Sequence, residues 1–143
     1  MNINDSDLEV LVNDFNNQGY CQLLGIKVIN LEKGMARLSL SFKENILNKH
    51  GVVHGGIITS LADSAAAVAL LSITGAEGIV AGIELKINFL HPVKKGDLLA
   101  EAKVIHKGSR TAVVEVDIRN KDEKLVGKCL LTFMVIKEGA NSD

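Results

Sequence analysis

A long apolar segment that carries one acidic side chain is the feature of this sequence that most restricts its fold. Between Gly55 and Ala76 the chain consists mainly of alanine, leucine and isoleucine, and Asp63 is the only ionisable residue. The segment is too long and too rich in alanine for a strand, and it predicts a central helix over Gly55–Ser72 that ends near Gly75 and Gly78. A helix this apolar has to be covered by protein on nearly all sides.

Asp63 itself requires an explanation, because a carboxylate on an apolar helix loses hydration energy unless it has partners. One interpretation is a functional acid. The other is a structural residue, hydrogen-bonded to Ser60, Thr59 or a helix end, and the helix alone does not decide between them.

Composition excludes several classes of protein. The 143 residues fit one domain, with an N-terminal helical segment over 1–20 and a disordered tail expected at 139–143. A net charge of -1 and an aromatic content of 3% argue against nucleic acid as a ligand. The isolated Cys21 and Cys129 predict buried thiols in a reducing compartment, and no secretory signal precedes them, so we expect a cytoplasmic protein.

A membrane-spanning role for the central segment is also disfavoured. Its length would nearly suffice to cross a bilayer, but Asp63, the serines and threonines and the absence of flanking aromatic residues fit a protein core better.

The remaining sequence predicts a sheet. A capping box at Ser6–Glu9 begins a short N-terminal helix that Gly19 ends, and a hairpin follows over 26–31 and 35–42. After the central helix come four strand-like segments: one in which Ile83, Leu85, Ile87 and Phe89 share a face, then 98–107, 111–119 and 124–136. This order predicts an α+β fold in which a curved antiparallel sheet of five or six strands wraps around the long helix.

The segments around the start of that helix resemble a known family. Asn48, His54, Gly55 and Gly56, followed by Asp63 and Ser64 on the helix, are similar to the signature of PaaI-like hotdog-fold acyl-CoA thioesterases. The strand order and the turn over 89–97 resemble the same family across nearly the whole domain. The resemblance implies hydrolysis of an acyl-CoA thioester, with the matching Asn as a site residue.

The chemistry of thioester hydrolysis assigns roles to these residues. Gly55 at the helix start offers a backbone N–H to the oxygen that becomes anionic, and Gly56 lets a substrate approach without interference from a Cβ. Asn48 adds a side-chain amide or holds water near the acyl carbon, while His54 fixes the turn and the position of Gly55 instead of acting as a base. Asp63 is the general base or the nucleophile, and both mechanisms stay open. Some relatives place a Ser or Thr on the next strand to orient water; residues 80–83 lack a hydroxyl, which leaves Ser64 or Thr59.

Geometry then predicts an oligomer. Eight residues separate Gly55 from Asp63, so they lie roughly 12 Å apart on one helix and cannot act on one carbonyl. A two-fold dimer with antiparallel central helices brings Asp63 of one chain to Gly55 of the other, as the resemblance also implies, and a dimer of dimers is compatible with this.

The substrate predicts further contacts. Lys94, Lys95, Lys107 and Arg110 are candidates to bind the phosphates of coenzyme A, although each of them taken alone is more typical of a solvated surface charge. His50 is a candidate for the site mouth, and the acyl pocket would be lined by Ile58, Leu61, Leu85 and Phe89. No metal and no cofactor besides the CoA of the substrate are expected.

Three other functions remain open at this stage. A non-catalytic acyl-CoA-binding or sensor protein on the same scaffold is the strongest, since a fold does not fix a chemistry. A hotdog hydratase or dehydratase would need a catalytic His paired with an acid across the site, whereas His54 belongs to the turn. A purely structural domain is the third.

Overall fold

The computed structural model describes residues 3–75 and 78–136, and the predicted α+β architecture is confirmed. Two short helices begin the chain, six antiparallel strands form one sheet, and one long helix packs against the sheet. In chain order the elements are α1 (Asp5–Asn16), α2 (Gly19–Leu24), β1 (Ile26–Glu32), β2 (Met35–Leu40), a 3₁₀ turn (Glu44–Ile46), α3 (Gly55–Thr74), β3 (Ile79–Phe89), β4 (Leu98–Lys107), β5 (Thr111–Asn120) and β6 (Leu125–Ile136). The tail expected to be disordered at 139–143 lies outside the described residues.

The sheet wraps around α3. The strands are ordered β1-β2-β4-β5-β6-β3, and α3 contacts every one of them. Leu61, Val68 and Leu70 on the helix are fully buried, as are Val114 and Val116 of β5. Among the described helices α3 alone is long and apolar enough to cross a bilayer, but its position inside the sheet is that of a core helix.

The alternation read from the sequence of β5 is confirmed in the structure. Its apolar residues face the helix and have no exposed surface: Ala112, Val114, Val116 and Ile118. The residues between them are only partly exposed, because β5 lies in the middle of the sheet between β4 and β6.

Strand β3 differs from its predicted pattern. It forms an edge of the sheet, pairs only with β6 among the described strands, and contains no buried residue. The ladder shifts between Gly82 and Glu84, so that Ile83 is an unpaired bulge residue and is 56% exposed. Before the bulge Val80 packs on the core, and after it Leu85 and Ile87 do. The prediction that Ile83 shares a face with Leu85 and Ile87 is therefore wrong.

The N-terminal helices also correct two details. The capping box of α1 uses Asn4 and Asp7, whose side chains each accept a hydrogen bond from the other's backbone N–H at 3.1 and 2.9 Å, in place of Ser6 and Glu9. Gly19 does not end this region but begins α2, which ends at Gly25 in the left-handed conformation with φ of 74°. The helical segment therefore extends beyond residue 20.

Candidate active site

The start of α3 is shaped by a histidine cap. His54 has extended backbone angles, and its Nδ1 accepts a hydrogen bond of 2.9 Å from the N–H of Gly56. This bond uses the Gly56 N–H, whereas the N–H of Gly55 has no acceptor among the described residues. The helix thus begins with one free backbone donor at its positive end, which is a site suited to an anionic oxygen.

Packing also favours a glycine at position 55. A Cβ at this position would lie 3.1 Å from Cζ of Phe89, closer than most real contacts of a Cβ allow. Gly55, Phe89 and Ile58 line a cleft of about 330 Å³ together with the loop over residues 90–93. The free N–H of Gly55 is therefore placed beside an apolar cleft, and Ile58 and Phe89 line it as the sequence suggested.

Asn48 organises the loop before the helix. Its Oδ1 accepts hydrogen bonds from the N–H groups of His50 at 2.9 Å and Val52 at 3.4 Å. The backbone N–H of His54 donates to the carbonyl of Ile46 at 2.9 Å, which connects this loop to the helix cap. The amide nitrogen of Asn48 has no acceptor among the described residues and remains available as a donor, while His50 is exposed.

Asp63 lies on the open face of α3. It is exposed in the single subunit, and its carboxylate has no hydrogen-bond partner among the described residues. The hydroxyls of Thr59 and Ser60 donate to the carbonyls of Gly55 and Gly56 one turn earlier, at 2.9 and 2.8 Å. These hydroxyls therefore do not donate to Asp63, and the structural interpretation of Asp63 fails. The hydroxyl proton of Thr59 is already donated to the carbonyl of Gly55.

The surroundings of Asp63 are nevertheless apolar enough to change its ionisation. Desolvation by neighbouring atoms raises the pKa of Asp63 above its ordinary value, although part of the side chain is open to solvent. The buried thiol of Cys129 has its pKa raised to about 11, first by burial and then by the negative charges of Asp63 and Glu84. Asp63 thus lies at the edge of an apolar region.

Asp63 and Gly55 do not meet within one subunit. Both lie on α3, eight residues apart, which corresponds to roughly 12 Å along the axis. The cleft beside Gly55 is not lined by Asp63. The structure of one chain therefore contains two separate halves of the expected site.

The four basic residues that are candidates to bind the phosphates of CoA lie in two separate places. Lys94 and Lys95 are exposed in the loop before β4, directly after the residues that line the Gly55 cleft. Lys107 and Arg110 are exposed at the other end of β4, about 30 Å away for a ten-residue strand. A single CoA site cannot be formed by all four residues of one subunit.

Comparison with known proteins identifies the family. The family model described as the thioesterase superfamily matches residues 50–127. The chain belongs to the thioesterase superfamily.

Individual relatives narrow this assignment. A Saccharolobus solfataricus protein is 41% identical over 116 residues, which are 81% of this chain and 82% of that protein. The acyl-coenzyme A thioesterase PaaI of Escherichia coli is 36% identical over 114 residues, which are 78% and 79% of the two chains. The solved structure of the E. coli PaaI protein matches with a TM-score of 0.85 at 29% identity, covering 95% and 97% of the two chains. The chain is a PaaI-like hotdog thioesterase and acts as a thioester hydrolase.

The hydrolase contains site features that the sequence analysis missed. Leu61 was expected to line the acyl pocket, but it is fully buried in the core. Gly82 of β3 was considered only as part of a segment without a hydroxyl, although a Cβ there would lie 3.9 Å from Oδ1 of Asp63. A glycine inside a strand pattern was the available signal. Ser64, half-buried on α3 beside Asp63, remains a candidate to orient water.

Other parts of the thioesterase give less evidence of a functional site. Within residues 3–75 and 78–136 no group of three His, Cys, Asp or Glu side chains is placed to hold a metal ion. A hollow of about 390 Å³ on the outer face of the sheet contains none of the candidate site residues. Several of its charges are paired, as in Arg119 with Asp117 at 3.3 Å and Arg37 with Glu101 at 3.8 Å, which is typical of a solvated sheet face.

Proposed function

We propose that this protein hydrolyses acyl-CoA thioesters to a free acid and CoA, with each active site shared between two subunits. The observation that carries this proposal is the carboxylate of Asp63, which stands without a hydrogen-bond partner among the described residues on an otherwise apolar helix. The free N–H of Gly55 supplies the complementary donor, and it is out of reach of Asp63 on the same helix.

The open surfaces of the subunit support a two-fold dimer. The exposed side of α3 carries Gly56 and Asp63, and a second α3 laid antiparallel against it would bring Asp63 near the partner's glycine turn. The neighbouring edge strand β3 has eleven residues and exposes Ile79, Ile83 and Phe89. A long apolar edge strand is a surface for pairing with another chain.

In this arrangement the reaction proceeds on the thioester carbonyl. The carboxylate of Asp63 removes a proton from a water molecule whose oxygen attacks the carbonyl carbon, or attacks that carbon itself to form an anhydride that water then hydrolyses. The Gly55 N–H of the other subunit donates to the developing oxyanion, supported by the helix end and the amide of Asn48. The C–S bond breaks, and the thiolate of CoA leaves and takes up a proton.

The same dimer accounts for the two groups of basic residues. Because antiparallel subunits place opposite ends of their strands side by side, Lys94 and Lys95 of one chain and Lys107 and Arg110 of the other can flank one site. Lysine and arginine bind phosphate groups, and Arg110 can do so through two parallel hydrogen bonds. Their contribution predicts weaker CoA binding at high salt.

Mixed dimers test the shared site directly. Asp63→Asn alone should lose at least about a hundredfold in kcat while remaining folded, the scale of an acid-base group. Asn48→Ala should also lose turnover, because it removes an amide from the half of the site that the other subunit contributes. When differently tagged Asp63→Asn and Asn48→Ala subunits are combined and the heterodimer is purified, one of its two sites regains all its groups, so turnover should recover toward half of the wild-type value.

The control for these variants is a carboxylate outside the site, and three results would contradict parts of the proposal. Asp14→Asn changes an exposed carboxylate of α1, outside the site, and should retain wild-type turnover. A heterodimer no more active than its two parents would exclude a site shared between subunits. Full turnover by the Asp63→Asn homodimer would remove Asp63 from the mechanism, and a wild-type protein that releases no thiol from any acyl-CoA would refute the function itself.

A further inference from the structure

Gly82 occupies a position that the fold does not require to be glycine. Its φ angle lies outside the left-handed region, so an L-residue could adopt its backbone conformation. A Cβ would have only ordinary contacts, at 3.7 Å from Cε1 of Phe133 and 3.9 Å from Oδ1 of Asp63. The bulge begins one residue later and needs no glycine at position 82 because Gly82 is still paired with Phe133.

Glycine is nevertheless costly in a strand. It loses more conformational freedom on folding than other residues and offers no side chain to the core. The two neighbouring core-facing positions of β3 on either side of Gly82 are Val80 and Leu85, both of which pack on the core. Gly82 is exposed in the single subunit, so the missing side chain leaves a gap that is open to solvent, and such glycines mark close approach of a ligand or another backbone.

The gap opens beside the reacting group. Its known walls are a carboxylate oxygen of Asp63 and the ring of Phe133, which is 2% exposed. Reacting atoms approach to about 3–3.5 Å before bond formation. A Cβ at position 82 would lie 3.9 Å from Asp63 Oδ1 and would project into the space beside this carboxylate, where the aromatic wall suits an apolar substituent.

We propose that Gly82 determines specificity by leaving room for a substituent on the α-carbon of the acyl group. This inference rests on the proposed role of Asp63 in thioester hydrolysis. A side chain at position 82 would occupy the space that an α-branched acyl group needs, whereas an unbranched chain of the same size can be directed away from it. Strand pairing of a partner at the β3 edge does not explain the glycine, because Gly82 faces Asp63 on the helix side of the sheet.

Two isomeric substrates test this proposal. Butyryl-CoA and isobutyryl-CoA have the same composition and differ only in branching at the α-carbon. In Gly82→Ala the ratio of kcat/KM for isobutyryl-CoA to that for butyryl-CoA should fall at least about tenfold below the wild-type ratio, the scale of one methyl group in an apolar pocket. Gly82→Val should lower the ratio further. The matched control is Gly19→Ala, where a Cβ would have no neighbour within 4 Å, and it should keep the wild-type ratio.

The outcomes separate this inference from the function on which it rests. A Gly82→Ala protein that loses the same factor on both substrates, with a lowered Tm, would show a structural role and overturn the inference alone. An unchanged ratio in both Gly82 variants would do the same. A wild-type protein that hydrolyses neither thioester, nor any other in an acyl-CoA panel, would overturn the proposed function and this inference with it.

Discussion

Ionisation of Asp63 carries a cost in stability that follows from its surroundings. Desolvation raises the pKa of Asp63 in the folded protein, so between the unfolded and folded pKa values the folded state binds more protons than the unfolded state. Stability therefore decreases as the pH rises through this interval, and the cost is fully present above the folded pKa. The proposed mechanism requires this ionised form, so in that mechanism the residue trades stability for reactivity.

We accordingly expect Asp63→Asn to be more heat-stable than the wild type at pH 7. The amide carries no charge to desolvate, so its advantage in Tm should shrink as the pH approaches the ordinary range of an aspartate, about 4. Tm measured from pH 4 to 8 by calorimetry checks this, with Asp14→Asn as the matched loss of one negative charge. A lower Tm of Asp63→Asn at pH 7 would mean that the carboxylate stabilises the fold, which contradicts its desolvation.

At the scale of elements, we expect the first turn of α3 to affect both the stability of the protein and its turnover. The His54 side chain accepts from the Gly56 N–H, and this bond fixes the turn in which the Gly55 N–H is left free. A residue that acts in this way is a positioning residue: its imidazole serves as a hydrogen-bond acceptor and needs no acid-base function.

Replacement of the cap distinguishes these two roles. His54→Ala should destabilise the protein by about 1 kcal/mol and lower turnover, because the first turn loses its side-chain acceptor. His54→Asn offers an amide oxygen that can accept the same hydrogen bond, so it should restore most of both. Denaturant unfolding and kcat of the two variants are the measurements. Recovery of stability without recovery of turnover would assign a chemical role to the imidazole.

The elements also show what the sequence could and could not predict. The start of α3 followed from His54-Gly55-Gly56, and the inward face of β5 followed from alternation, because both patterns are local. The bulge in β3 did not follow from the sequence, because Ile83 continues the alternation of Leu85 and Ile87. Only the pairing of β3 with β6 interrupts this alternation. Likewise Asn4 with Asp7 and Ser6 with Glu9 both fit a capping box, and the structure selects the first.

The same limit applies to the candidate site. Asn48, His54 and Asp63 were predicted as site residues from the resemblance of the segments around the start of α3 to the family and from the chemistry of thioester hydrolysis, and their roles stay predictions. Gly82 could not be found in this way, because its importance depends on which residue lies across the core from it. The distance of 3.9 Å to Asp63 joins two elements that are separated in sequence.

For the molecule as a whole, a single subunit presents its apolar edge and its unpartnered acid on neighbouring surfaces. Edge strand β3 pairs only with β6 among the described strands, and Ile83 projects from its bulge with 56% of its surface exposed. Natural proteins protect such edges with charges or cover them. Because β3 also lies beside Asp63, an interface at this edge would cover the apolar strand and complete the active site at the same time.

A charge placed on this edge should therefore separate the subunits and stop catalysis together. We expect Ile83→Lys to shift the protein toward monomer in light scattering after size exclusion, and thioester hydrolysis should fall in proportion to the lost dimer, because an unpaired lysine is costly to bury in an interface. Ile105→Lys changes an isoleucine of similar exposure, 49%, on β4, and should remain dimeric and active. Since Ile83 is exposed in the subunit, its substitution should leave the subunit folded. A fully active Ile83→Lys monomer would show that Asp63 and Gly55 need no second chain, whereas restored turnover at high protein concentration would tie activity to assembly.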